Sequence, residues 1–128
     1  MAAMTSDVRV RRAYDSPEPS DGARVLVDRL WPRGLSRDKA ALDEWCKAVA
    51  PSAELRRWYG HDPERFEEFA RRYRDELTDG EQAEALAHLR DLACRGPITL
   101  LTASRRADIS DATVLAAKLR DGDRHDSH

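Results

Sequence analysis

Long apolar runs are missing from this sequence. No stretch approaches the ~18 apolar residues that a membrane-crossing helix needs. The opening MAAMTSD has neither the basic segment nor the apolar centre of a secretory leader. Cysteine is scarce. Cys46 and Cys94 are too few and too far apart for a disulfide scaffold or a zinc cluster. These absences point to a reducing, cytoplasmic setting with no membrane partner. An excess of one charge sign is also lacking. The 22 Lys and Arg residues face 24 Asp and Glu, for a net charge of −2. No broad basic field exists to draw in nucleic acid, so any positive site must be local. Phosphate loop, dinucleotide fingerprint, zinc spacing, protease helix and nucleophile elbow are all absent. No cofactor and no metal is therefore expected. His125 and His128 sit in the polar tail DGDRHDSH, and a loose tail lacks the ordered second shell of a metal site.

What is present suits one globular domain. Hydrophobic residues make up 41% and charged residues 36% of 128 positions, enough apolar content for a core under a charged surface. The expected organisation is a disordered start over 1–7, one domain over 8–120 and a disordered tail over 121–128. VRVRRAY, Val8 to Tyr14, reads as a strand near a sheet edge. The Pro, Ser, Asp and Gly of DSPEPSDGA make a loop. RVLVDRLW, Arg24 to Trp31, is a second strand that turns polar at Asp28 and Arg29. ITLL, within Pro97 to Ser104, is apolar throughout, as in a strand covered on both faces.

Helical periodicity fills the gap between the last two strands. Ser36 is expected to cap a helix to about Val49, with Leu42, Trp45, Cys46 and Val49 on one face. Pro51 interrupts it, and Ser52 caps a turn holding Leu55 and Trp58. Asp62 and Pro63 start a helix with Phe66, Phe69, Ala70, Tyr73 and Leu77 as its stripe. Glu81 to Arg95 forms the next, with Leu86, Leu89 and Ala93 inward, closed by Gly96 and Pro97. Ser110 caps a last helix with Leu115 and Leu119 inside.

The order β-β-(helices)-β-α predicts a small α/β domain with a mainly parallel sheet and flanking helices, in two or three layers. The link Asp15 to Ala23 is short for a parallel crossover, so the first strand is expected to run antiparallel at the edge. The second and third strands can be parallel. Their carboxyl ends then put DRLWPRG beside TASRR, at the edge where open α/β sheets bind ligands.

The segments VRRAYD, SDGARVLVDRLWPRGLS, DEWCKAVAPSAELRRWYGHDPERFEEFARRYRDEL and TLLTASR resemble the YeaO-like family of bacterial proteins, over about Val8 to Leu119. The resemblance implies a compact cytoplasmic α/β domain and brings no assigned reaction, cofactor or catalytic residue. The chain departs from the family pattern after the third strand. Arg105 stands at a lysine position, and Ser110 and Asp111 stand where an asparagine and its neighbour would be. Arginine keeps the charge but cannot act as an amine nucleophile. Cys46 stands where an acidic residue is common, which speaks against catalysis by its thiol.

Arg29, Arg33 and Arg105 can form an anion clamp, since guanidinium forks match phosphate and carboxylate oxygens in pairs. The competing reading is that they pair with Asp28, Asp15 and Glu76 and only fix the loop. Trp31 can wall a pocket, and Ser104 can donate a hydrogen bond to a ligand. Asp28 and His61 are the candidate proton carriers, against the blander readings of a structural acid and a surface loop histidine. Tyr14 and Asp15 join this site if the first strand is parallel after all.

Two functions follow. The first is a domain that binds a small anionic, phosphate-bearing ligand through Arg29, Trp31, Arg33, Ser104 and Arg105. The second is an interaction or regulatory module using the arginines and aromatics of residues 56–73. There the i,i+4 pairs Glu67–Arg71 and Glu68–Arg72 suit a solvated face better than RNA contact. Self-association is open under either.

Overall fold

A computed structural model describes the backbone of residues 7–125 and the side chains up to Arg120. Four strands, β1 (Val8–Arg12), β2 (Ala23–Leu26), β3 (Glu44–Trp45) and β4 (Ile98–Thr102), form one sheet in the order β1-β4-β2-β3. Every pairing is parallel. Five helices accompany it: α1 (Arg37–Ala40), α2 (Ala53–Tyr59), α3 (Phe66–Glu76), α4 (Gly80–Arg95) and α5 (Asp111–His125). The expected tail thus begins as helix at residues 121–125. Residues 1–6 and 126–128, from the stretches expected to be disordered, lie outside the described residues.

β4 is central because nothing in it needs water. All five of its residues are buried, and its neighbours β1 and β2 align on it in the same register, Val8 and Ala23 both opposite Ile98. Successive side chains point to opposite faces. Val25, Val27, Ile98 and Leu100 face the helices and join Phe69, Tyr73, Leu86, Leu89, Leu115 and Leu119 in the main core. Leu26 and Leu101 face the other way, under Trp31, Leu35, Leu42 and Trp45.

The expected antiparallel first strand is overturned: β1 is parallel to β4. Returning along a five-residue strand and stepping over β4 takes ~17 Å plus ~10 Å. The link Ala13–Gly22 can extend ~33 Å, so no helix is needed in the crossover. Gly22 makes the tight return. Its φ is +64°, and a Cβ there would stand 2.2 Å from the Pro97 carbonyl oxygen.

The helix expected from Ser36 to Val49 also fails. It stops at Ala40, with Ala41 in the left-handed region at φ 49°. The buried Arg24 guanidinium takes the Ala40 and Ala41 carbonyls (Nε 3.3 and 3.2 Å, Nη2 3.0 Å to Ala40). The chain then pairs with β2 instead. Asp43 N–H donates to the Arg24 carbonyl (2.9 Å), Arg24 N–H to Asp43 Oδ2 (2.8 Å), and β3 follows. Trp45 and Cys46 therefore belong to the sheet edge rather than to a helical stripe.

The other helix starts hold. The Ser52 hydroxyl accepts from Leu55 N–H (3.2 Å) and donates to Glu76 Oε2 (2.6 Å), tying α2 to α3. Ser52→Ala is expected to cost about 1 kcal/mol in a urea titration and to loosen α2. Asp62 caps a 3₁₀ turn, Pro63–Arg65, that leads into α3. Ser110 sits at the α5 start, but its hydroxyl donates back to the Ala107 carbonyl (2.7 Å) rather than capping.

Candidate functional site

β2 and β4 end side by side because they are parallel. Val27 N–H still bonds to the Leu101 carbonyl (3.1 Å), so Asp28 emerges next to Thr102. The Asp28 carboxylate accepts from Thr102 Oγ1 (3.0 and 3.2 Å) and from Ala103 N–H (2.8 Å). Its own carbonyl accepts from Trp45 Nε1 (2.8 Å). This acid fastens the two strand ends together.

Above it opens a cavity of about 700 Å³. Arg29, Leu30 and Trp31 enter from the β2 loop and Thr102 to Arg106 from the β4 loop. Arg56, Arg57 and Tyr59 come from α2, Phe69 from α3, and Ser110 and Asp111 from the start of α5. The walls are largely apolar.

Of the residues anticipated for a site, Asp28, Arg29, Trp31, His61, Ser104 and Arg105 line this one cavity. Arg33 does not. It is exposed, and its carbonyl accepts from the Tyr14 hydroxyl (2.8 Å). Tyr14 lies under the Arg12 guanidinium, and Asp15 accepts from Arg12 N–H (3.0 Å), so both belong to the turn after β1. Arg56, Arg57, Tyr59, Phe69 and Asp111 also line it; the first four were expected to act only as part of an interaction surface over residues 56–73, and Asp111 was not expected at a site.

The acids expected to absorb the arginines are engaged elsewhere. Glu76 holds Ser52 and Gln82, and Asp15 lies 3.9 Å from Arg11. Arg29, Arg56, Arg57 and Arg105 have no ion-pair partner among the described residues. Arg56 Nε is buried without any hydrogen-bond partner. Arg106, by contrast, is spent on Asp108 (3.1 and 3.0 Å).

Asp111 begins α5, and its Oδ1 accepts from Ala112 N–H (2.9 Å). Burial, then the charge of Asp28, then the hydrogen bond between the two carboxyl groups push its pKa well above the ordinary carboxyl range. The bonds from Ala112 and Thr102 oppose this only in part. Asp28 and Asp111 thus lie on the same cavity lining, and Asp111 favours its protonated form.

No ready nucleophile adjoins that pair. The Ser104 hydroxyl donates to the Arg106 carbonyl (3.3 Å). Cys46 lies outside the cavity, and burial followed by the nearby Glu44 charge pushes its thiol up to about 11. His61 stands at the rim with φ 59°, an uncommon backbone state for a non-glycine residue. Trp31 is held at the mouth by donating to the Leu35 carbonyl (2.6 Å) and by edge-to-face contact with Trp45 at 5.3 Å. Among the described residues no three His, Cys, Asp or Glu side chains could hold a metal ion. No helix there is long and apolar enough to cross a membrane.

Fold and cavity together define a small all-parallel α/β domain with an arginine-lined pocket at the carboxyl edge of its sheet. The chain belongs to the YeaO-like bacterial family: the family model described as "Inactive DUF488-N3 subclade" matches residues 7–127. An uncharacterised protein of Mycobacterium tuberculosis (strain H37Rv) is 54% identical over 112 residues, covering 88% of this chain and 92% of its own. The uncharacterised protein YeaO of Escherichia coli K12 is 41% identical over 114 residues, covering 89% and 97%. No solved structure matches the chain.

Proposed function

We propose that this domain binds a small anionic, phosphate-bearing ligand in the pocket at the carboxyl edge of the sheet and holds it without turnover, in a cytoplasmic setting. One observation carries the reading: Arg29, Arg56, Arg57 and Arg105 line a single cavity, and none of them has an ion-pair partner among the described residues. Arg29, Arg57 and Arg105 are exposed to solvent, whereas Arg56 is half-buried and leaves a buried donor unsatisfied. A phosphoryl group supplies the missing acceptors in bidentate geometry. Binding rather than catalysis is favoured by the lack of a free nucleophile on the lining and by the word "Inactive" in the family description.

The alternative, an interaction surface over residues 56–73, has less behind it. Arg65 and Arg72 cover the Trp58 ring at 5.2 and 4.3 Å. Glu68 binds Arg71 at 2.6 Å and Arg72 at 2.7 Å. The large apolar side chains left exposed, Tyr14 and Leu30, lie outside the segment.

Inorganic phosphate and ribose 5-phosphate are expected to raise the melting temperature in proportion to occupancy. Arg56→Ala and Arg105→Ala are each expected to weaken this binding about tenfold or more in calorimetry, at ~1.5–3 kcal/mol per charged hydrogen-bond donor. Arg33→Ala, outside the cavity, should change nothing. Equal affinities for all four proteins would sink the reading.

A further inference from the structure

Most polar side chains of the cavity are spent within the protein. The hydroxyl of Thr102 donates to Asp28 (3.0 Å), that of Ser104 to the Arg106 carbonyl (3.3 Å), that of Ser110 to the Ala107 carbonyl (2.7 Å) and that of Tyr59 to the Ile109 carbonyl (2.6 Å). Asp28 also accepts from Ala103 N–H, Asp111 accepts from Ala112 N–H, and Arg106 is paired with Asp108. The lining leaves a ligand the other arginines, His61 and an apolar surface. Tyr59 and Phe69 are buried and stacked at 4.3 Å with ring planes 17° apart, so they form a fixed wall. Trp31 is held by the Leu35 carbonyl and the Trp45 ring, so its wall is also set before a ligand enters. Leu30, on the same lining, is 67% exposed. A hydroxylated body meets no free hydroxyl donor here and loses water against apolar walls. An apolar body gains from the same transfer.

We propose that the ligand is a small phosphomonoester with an apolar, ring-sized body, its phosphoryl group on Arg56 and its body against Leu30, Trp31 and Ile109. The assignment rests on the anion-binding reading and deepens it by naming the ligand's other end. Arg56 is the anchor because it is half-buried and its buried Nε has no partner. The exposed Arg29, Arg57 and Arg105 add an attraction that salt screens. Arg56 and Tyr59 lie three residues apart on α2, which puts the guanidinium and the aromatic wall on one helix face. A charged end thus adjoins an apolar one, the usual composition of a small-molecule site. The volume of about 700 Å³ takes a phosphoryl group and one or two fused rings together.

The test is calorimetry at pH 7 with inorganic phosphate, ribose 5-phosphate, phenyl phosphate, 1-naphthyl phosphate and phenol. Phenyl phosphate is expected to bind about tenfold or more tightly than inorganic phosphate and ribose 5-phosphate, and 1-naphthyl phosphate at least as tightly as phenyl phosphate. The heat-capacity change should be more negative for the aryl esters than for inorganic phosphate, which marks apolar burial. Phenol should bind about tenfold or more weakly than phenyl phosphate, for want of the charged end. Leu30→Ser and Ile109→Ala are each expected to weaken phenyl phosphate about threefold or more and to leave inorganic phosphate unchanged. Leu30 is exposed, so its replacement leaves the core intact, and the second variant guards against a folding defect in either. In ¹⁵N spectra phenyl phosphate should shift the Trp31 indole N–H, which donates to the Leu35 carbonyl, and not that of Trp58, which is outside the lining. Phenyl phosphate binding no more tightly than ribose 5-phosphate, or weakened by neither substitution, would overturn the apolar-body assignment and leave the anion site standing. Phenol binding as tightly as phenyl phosphate would overturn the assignment as well. Failure of inorganic phosphate and of every ester to bind would remove the anion site and the assignment together.

Discussion

Asp21→Ala is expected to destabilise the protein by about 3–5 kcal/mol, the cost of leaving a buried charge without its partner. Asp21 is 1% exposed and Arg24 4%. Asp21 Oδ2 takes Arg24 Nη1 at 2.6 Å, Arg11 Nη1 at 2.8 Å and Glu18 N–H at 3.0 Å. Its backbone carbonyl accepts from the Thr99 hydroxyl of the central strand (2.8 Å). The remaining Arg24 donors fix the Ala40 and Ala41 carbonyls, so the loss spreads from the β1–β2 link to α1. Against a typical total of 5–15 kcal/mol this is a large share. Guanidinium unfolding of the variant measures it. The partly exposed Glu68 makes the control. Hydrogen bonds from Arg71 and Arg72 hold its carboxyl at about 2, yet Glu68→Ala should cost little, because solvent screens that cluster.

The same network predicts an acid limb. Burial alone raises the Asp21 pKa, but the Glu18 N–H, Arg24 and Arg11 together bring it below the ordinary 3.8. A lowered folded value means the stabilisation is present above 3.8 and disappears as pH falls through the folded value. The gap between wild type and Asp21→Ala should therefore be widest near neutral pH and narrow below pH ~4. A gap that does not vary between pH 7 and pH 3 would show that the carboxylate charge is not what matters.

Much of this architecture could be read from residue order, and the misreadings have identifiable causes. Continuous apolarity in ITLL marked a central strand, and Asp62–Pro63 and Gly96–Pro97 marked helix ends, because those signals are local. β3 was hidden. Leu42, Trp45, Cys46 and Val49 have a helical spacing, and what breaks the helix is Arg24, whose guanidinium claims the carbonyls 16 and 17 residues away. The direction of β1 was hidden by a general minimum length for crossovers, which a link spanning a single short strand escapes. At the cavity, residues on the two strand ends were legible because parallel strands must end together. Arg56, Arg57 and Asp111 come from helices whose placement depends on core packing. Arg56 and Arg57 also stand among acids and other arginines that suggest an ordinary solvated face. The one available hint was that α2 has Arg56 and Arg57 next to Tyr59, in its last turn, with Ser52 fixing where that turn falls.

The two carboxyls of the cavity floor are expected to respond to substitution with opposite signs. Asp28→Ala strands the Thr102 hydroxyl and the Ala103 N–H at the point where β2 and β4 are fastened, at about 1–3 kcal/mol per unsatisfied donor. The expected loss is about 2–4 kcal/mol, reduced from the full sum because the cavity admits water. Asp111→Asn, in contrast, is expected to stabilise the protein by about 1 kcal/mol at pH 8. Burial and Asp28 hold the Asp111 pKa above 3.8 in the folded state, so its contribution is complete below 3.8 and is lost as pH rises through the folded value. Asparagine cannot ionise. Its advantage over aspartate should be absent near pH 3, grow as pH rises and level off once Asp111 is ionised in both states. Unfolding free energies of the two variants at pH 3, 6 and 8 separate these cases. A pH-independent offset for Asp111→Asn would mean that folding does not change the proton affinity of Asp111. A growing offset would mean that the fold keeps an acid it is less stable for having, at the bottom of a pocket rimmed by unpaired arginines. Stability sacrificed at a cavity is a mark of binding rather than of folding.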